Sequence, residues 1–348
     1  MNTAHFVRTT ALAFGLAVVS SLIAQEPRLA NVSTLTRVGT GADVLTAGFV
    51  ISGTAPKQVV IRAVGPTLAT APFNVGGVLA DPLLTVFGPN SSTLVAASND
   101  NWAAANAANF SAVAAFALQA NSRDAAVVAT LEPGSYTAQV SGVGGTTGTA
   151  IVEVYEVGAP AGRFSNLSTR AQVGGTAGPL TPGFVITPGT GTRKLLIRAA
   201  GPALTPLGVT GVLANPTLTL RRTGTGGGVV ATNDNWSTQT GTGNTTTAET
   251  LRLAFDQNGA FPFPANSQDA ALLLDLAPGN YTVEVTGVGN TSGVAIVEVY
   301  DLTPAAPATV SVTATRASAD ETGGKNGEFT FTRSGPTFQP LTVRYGVG

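Results

Sequence analysis

The sequence predicts an all-β chain: two tandem antiparallel β-sandwich modules of jelly-roll type, then part of a third sandwich. Three observations predict it. Val, Thr and Ile stretches are broken at short intervals by 42 glycines and 21 prolines, as in many short strands joined by tight turns. Residues 28–157 and 163–302 repeat one another almost end to end. Runs such as Tyr136-Thr137-Ala138-Gln139-Val140-Ser141 alternate apolar and polar side chains with the period of a half-buried strand. A hydrophobic content of 43% supplies enough apolar surface for real cores and argues against disorder.

In chain order, the first element is a leader. Arg8 gives a positive start and residues 10–24 are apolar, so 1–24 is expected to be a signal peptide cleaved after Ala24. The run is short for a bilayer span and no later run reaches that length, so an exported chain with no integral membrane span is expected, secreted or at the cell surface. The single His (His5) and the single Met (Met1) lie in this leader, and there are no cysteines. The mature chain therefore has no imidazole or thiolate, which excludes Ser-His-Asp and Cys-His nucleophiles and the usual zinc, copper and haem sites. A net charge of −1 with no basic run gives nucleic acid no phosphate-neutralising patch. What remains is carboxylate chemistry and hard-cation binding through oxygen, and calcium is the cofactor that suits it.

The repeat follows. Gly48-Phe49-Val50-Ile51 recurs as Gly183-Phe184-Val185-Ile186, and Ile61-Arg62-Ala63-Val64-Gly65-Pro66 as Ile197-Arg198-Ala199-Ala200-Gly201-Pro202. Asn99-Asp100-Asn101-Trp102 recurs as Asn233-Asp234-Asn235-Trp236, Asp124 as Asp269, and Ile151-Val152-Glu153-Val154-Tyr155 as Ile296-Val297-Glu298-Val299-Tyr300. The offset grows from about 135 to 145, so the second copy carries extra residues between Trp236 and Ala260. Their polar, Gly/Thr-rich composition reads as a surface loop with a short helix over 246–255. At the end of the first copy, apolar or alternating runs over 125–131, 136–142 and 150–157 are separated by Glu132-Pro133-Gly134 and by 144–148. Two tight turns joining three strands predict an antiparallel meander, opposed by a sheet of the earlier strands.

The runs Asp81-Pro82-Leu83-Leu84-Thr85-Val86-Phe87, Ala97-Ser98-Asn99-Asp100-Asn101, Asp124 and Pro133-Gly134-Ser135-Tyr136-Thr137, with their counterparts in the second copy, resemble the bacterial pre-peptidase C-terminal domain over about 75 residues of each copy. The resemblance implies a non-catalytic β-sandwich accessory domain of secreted proteins, some of which bind calcium or insoluble polymers.

Residues 303–308, with Pro304-Ala305-Ala306-Pro307, read as a stiff linker. Beyond it, 309–315 and 328–333 alternate as strands around a polar turn, and Leu341-Thr342-Val343-Arg344-Tyr345-Gly346 reads as another strand. Residues 309–348 resemble the first half of a Calx-beta domain, which implies an immunoglobulin-like sandwich and calcium ligation in which Asp320 and Glu321 take part.

Four sets of side chains are candidate sites. Asp100, Asp234, Asp124 and Asp269, with their Asn neighbours, offer oxygen ligands for calcium; the competing reading is Asx-turn hydrogen bonding at a strand end with Trp packed on the sandwich rim. Trp102 and Trp236 offer stacking faces for sugar rings. Arg62 and Arg198 stand inside apolar strands, as do Glu153 and Glu298, so each Arg is expected to pair with the Glu of its own copy. Glu153 and Glu156 share one strand and cannot flank a cleft as glycosidase carboxylates do. The function expected is that of a secreted or cell-surface, non-catalytic structural or adhesive protein, binding calcium through its Calx-beta segment and meeting an extracellular polymer or a surface protein. The alternative is a polymer-binding accessory segment of a larger secreted hydrolase whose catalytic domain lies outside this chain.

Overall fold

The computed structural model describes residues 26–158, 162–224, 226–238, 241–243, 245–302, 309–316, 328–334 and 343. The expected signal peptide, the linker 303–308, Asp320, Glu321 and, Val343 apart, the strand over 341–346 lie outside the described residues. The first copy supplies β1 (Leu29–Val38), β2 (Leu45–Ser52), β3 (Lys57–Val64), β4 (Pro82–Phe87), β5 (Val95–Asn99), helix α1 (Ala107–Ala112), β6 (Ala125–Leu131), β7 (Gly134–Gly142) and β8 (Gly148–Glu156). The second supplies their counterparts: β9 (Arg163–Val173), β10 (Gly183–Ile186), β11 (Arg193–Ala200), β12 (Pro216–Arg222), β13 (Gly228–Asn233), α2 (Ala248–Gln257), β14 (Ala270–Leu276), β15 (Gly279–Gly287) and β16 (Gly293–Asp301).

Each copy is an eight-stranded sandwich of two antiparallel half-sheets. In the first copy β1-β8-β3-β6 faces β2-β7-β4-β5, the jelly-roll order. The alternation read from the sequence holds: Tyr136, Ala138 and Val140 are buried while Ser135, Thr137 and Gln139 are not. The expected meander is corrected. β6, β7 and β8 are not neighbours, because β7 lies between β2 and β4 while β8 lies between β1 and β3. Pro133 followed by Gly134 (φ 155°) carries the chain from one sheet to the other, and the turn Val143–Gly145, with Gly144 at φ 66°, carries it back. These left-handed glycine geometries bend the backbone round the edge of the sandwich rather than within a sheet.

The two copies join edge to edge. β1 pairs with β10 and β2 pairs with β9, which completes two continuous eight-stranded sheets, β13-β12-β15-β10-β1-β8-β3-β6 and β14-β11-β16-β9-β2-β7-β4-β5. The second order is the first with each strand replaced by its repeat partner, so the copies are related by an approximate two-fold. Thr34 and Thr169, equivalent residues, meet near that axis with their buried hydroxyls 2.9 Å apart. One apolar interior runs through both copies, where Phe49 packs on Tyr136 of its own copy and on Phe164 of the other at 5.3 and 5.8 Å between ring centres.

β3 and β11 are buried on both faces, which is why they read as near-continuous apolar runs. Their inner residues (Val59, Ile61, Ala63; Leu195, Ile197, Ala199) join the common core. Their outer residues lie under the connection between the fifth and sixth strands of each copy. Val60 and Val64 pack with Phe110 and Leu118, and Leu196 and Ala200 with Trp236, Leu251, Phe255 and Phe263. The helix expected over 246–255 is α2, capped by Thr247, whose hydroxyl accepts from Thr250 N at 3.2 Å. Residues 309–316 and 328–334 pair as antiparallel strands, β17 (Thr309–Arg316) and β18 (Glu328–Ser334). Among the described residues no helix is long and apolar enough to cross a membrane.

Candidate functional site

Arg62 and Arg198 fit apolar strands because they point outward, beneath the covering connection. The strand register places Arg62 opposite Glu153 and Arg198 opposite Glu298. Arg62 Nε and Nη2 lie 2.8 and 2.5 Å from Glu153 Oε2, and Arg198 Nε and Nη2 lie 2.9 and 2.8 Å from Glu298 Oε2. Each Nη1 donates to a carbonyl of the cover, Phe116 O at 2.6 Å and Phe261 O at 2.7 Å. Phenyl rings complete both cages: Phe116 and Phe110 stand 4.3 and 5.1 Å from the Arg62 guanidinium carbon, and Phe255, Phe261 and Phe263 stand 4.6, 4.3 and 4.2 Å from that of Arg198. Tyr155 and Tyr300 donate to the remaining carboxylate oxygens at 2.7 and 2.8 Å. Burial, and then the adjacent carboxylate, push both phenols well above their ordinary range. The arrangement pins the cover to the sheet, with each charge answered inside the protein.

Asp124 and Asp269 are fully buried. Asp124 Oδ1 accepts from Gly65 N at 2.8 Å, and Oδ2 accepts from Thr67 N at 3.2 Å, from Ser122 Oγ at 2.6 Å and from the Thr67 hydroxyl. Asp269 repeats this with Gly201 N at 2.7 Å, Ala203 N at 3.2 Å and Ser267 Oγ at 2.6 Å. Burial raises the Asp269 pKa above the usual carboxylate range, against the lowering effect of these donors. The carboxylates of this pair, read from the sequence as calcium ligands, accept hydrogen bonds from N–H and O–H donors of the protein itself. The turn they hold is tight. A Cβ on Gly65 or Gly201 would come within 2.0 Å of the carbonyl oxygen of Leu79 or Leu213, so only glycine fits.

The Asn-Asp-Asn-Trp runs are strand-end turn chemistry. Asn99 accepts from Ala126 N at 2.9 Å and donates to Asn101 O at 2.9 Å; Asn233 does the same with Ala271 N at 3.0 Å and Asn235 O at 3.2 Å. Asp100 is exposed and Asp234 is half-buried. Trp102 and Trp236, read from the sequence as stacking faces for sugar rings, pack against aromatic rings of their covers, Trp102 half-buried and Trp236 buried. Trp102 packs on Phe110 at 5.7 Å, Trp236 is 6% exposed and lies against Phe255 and Phe263 at 5.7 and 6.1 Å, and both indole N–H groups donate to serine hydroxyls. Among the described residues no three His, Cys, Asp or Glu side chains gather.

A groove of about 550 Å³ opens on the outer face of the second sheet, where the copies join. Its floor is one row of side chains across four strands, Ser135 on β7, Val50 on β2, Asn166 on β9 and Tyr300 on β16. Its wall is the end of α2 with the residues after it, Asp256, Gln257, Asn258 and Gly259; Arg163, Ser165 and Asp301 close one end. Burial lowers the Arg163 pKa, with Asp301 opposing the shift. A shallower cavity of about 340 Å³ lies on the same face, lined by residues that include Thr46, Thr137, Gln139, Ser168 and Arg170. Sequence reasoning missed this groove because its floor draws on both copies. The one signal was a difference between copies: 256–259 stand where the first copy has Ser111-Ala112-Val113-Ala114.

No family model and no curated protein matches the sequence. Among solved structures, the crystal structure of the major capsid protein P2 from bacteriophage PM2 aligns over 77% of this chain and 97% of that one, at 9% identity and a TM-score of 0.17. A TM-score this low carries no weight, and the fold rests on the strand pairing itself.

Proposed function

We propose that the chain is an exported, non-catalytic structural or adhesive protein, with calcium taken by the segment 309–348 rather than by the repeated copies. The observation that carries this reading is the disposition of the charged groups in the two copies. Arg62, Arg198, Glu153, Glu298, Asp124 and Asp269 all hold covers and turns in place, and the chain beyond the expected leader contains no His or Cys. Two sandwiches sharing their sheets make one continuous block, which suits a spacer or a surface scaffold. Asp320 and Glu321 keep the calcium role that the Calx-beta resemblance gives them.

The test is expression of the full chain in a Gram-negative host, followed by fractionation, N-terminal sequencing and thermal melts in calcium and in chelator. Export with a mature start at Gln25, and a transition of the C-terminal segment that moves up in calcium, are expected, since a ligand of the folded state alone raises its midpoint. An unprocessed chain retained in the cytoplasm overturns the reading. A calcium shift that survives Glu321→Gln but is lost in Asp100→Asn or Asp234→Asn moves the metal to the copies.

A further inference from the structure

The two copies act as each other's control. The floor row of the groove, Ser135, Val50, Asn166 and Tyr300, has a two-fold equivalent on the other sheet, Asn280, Val185, Asn31 and Tyr155, paired in the same register. The walls differ. On the first copy α1 ends in Ser111-Ala112 and is followed by Val113-Ala114, whereas on the second the longer α2 delivers Asp256-Gln257-Asn258-Gly259 to the groove edge. The end differs too. Ser165 stands where the first copy has Ala30, while Arg28 with Glu156 matches Arg163 beside Asp301. The second copy thus adds amides, a carboxylate and a hydroxyl to one of two otherwise matching faces. Covering connections are where binding groups concentrate on rigid sandwiches.

The chemistry of the lining selects the ligand. It mixes hydroxyls and amides with Val50, a tyrosine ring and a few charges, whereas sites for drug-like or lipid ligands are lined mainly by apolar groups. The lining carries one arginine, Arg163, against two carboxylates, Asp256 and Asp301, and Arg252 is shared between Asp256 at 3.2 Å and Glu249 at 2.7 Å. An excess of acid disfavours an anionic polymer, and the many donors and acceptors suit a neutral, polyhydroxylated chain. A second cavity on the same face, with Thr46, Thr137, Gln139 and Ser168 in its lining, gives a polymer further hydroxyls and an amide to meet. We propose that this groove binds a neutral polysaccharide, with the side-chain carbonyls of Asn166 and Asn258, whose Nδ2 groups donate to Val299 O and Ala254 O, accepting from sugar hydroxyls. This rests on the reading of the chain as an exported non-catalytic protein and names the partner of its adhesive face.

The experiment is native affinity electrophoresis of the full chain in gels holding a mixed-linkage β-glucan, an arabinoxylan, a galactomannan or dextran, with alginate as the anionic comparison. At least one neutral polymer is expected to retard the chain. Asn166→Ala is expected to weaken that retardation about tenfold, as loss of one hydrogen-bonding anchor does. Ser135→Trp, which fills the floor from an exposed position, is expected to abolish it. Asn280→Trp, its two-fold equivalent, is expected to leave it unchanged. Retardation by none of the neutral polymers, by alginate alone, or equally in Ser135→Trp and the parent overturns the assignment. Reducing ends are measured on the same incubations: their release would overturn the non-catalytic reading whatever the gels show, while loss of binding alone would overturn only the groove.

Discussion

The two buried arginines show how single residues set the architecture. A guanidinium inside an apolar strand costs several kcal/mol of lost hydration unless a partner meets it. Glu153 and Glu298 meet it from the neighbouring strand, and a carbonyl and a ring of phenyl groups meet it from the cover. Removing one partner leaves the other charge stranded, so Glu298→Ala is expected to lower stability by about 3–5 kcal/mol in urea titration. Replacing the pair together, Arg198→Met with Glu298→Leu, is expected to cost far less, because an apolar pair carries no desolvation penalty. A single-substitution loss below about 1 kcal/mol, in the range of an exposed ion pair, would contradict the cage. These pairs were legible in the sequence, since a charge recurring at the same place in two apolar strands demands a partner. The role of Asp124 and Asp269 was not legible. Their partners are backbone N–H groups some 60 residues away in the chain, and composition points equally to a cation or to a turn.

At the scale of elements, the covers decide which strand faces are buried. α2 is amphipathic, with Leu251, Ala254 and Phe255 buried and Arg252 and Leu253 outward, so most of its stability comes from packing against β11 and β14. Phe255→Ala is expected to cost about 3–5 kcal/mol, and to raise hydrogen exchange across β14 more than across β6 of the unaltered copy. Equal effects on the two copies would mean the cover is not a local unit. Strand positions at the end of each copy were readable from alternation, but strand partners were not. A Pro-Gly or Gly-Gly turn marks a reversal without saying whether it stays in one sheet or rounds the edge. β6, β7 and β8 round the edge because both sides of β7 and of β8 are already taken by earlier strands.

For the whole molecule, duplication has made one body from two. β1 and β2 of the first copy, which would be open edges in an isolated sandwich, are paired by β10 and β9 of the second. The repeat announced two copies; that they complete each other's sheets does not follow from a repeat, because edge pairing depends on where β1 and β9 fall in the strand order. The groove depends on the same junction, having a floor built from both copies and a wall from one. A single block with one asymmetric polar face joins the fold to the proposed function, and it stands on the copies being inseparable. Differential scanning calorimetry of the full chain tests that most directly. A single main transition for residues 26–302, with calorimetric enthalpy equal to the van't Hoff enthalpy, is the expected result. Two separate transitions, each with about half the enthalpy, would mean that the copies fold as independent sandwiches and would contradict the shared sheets.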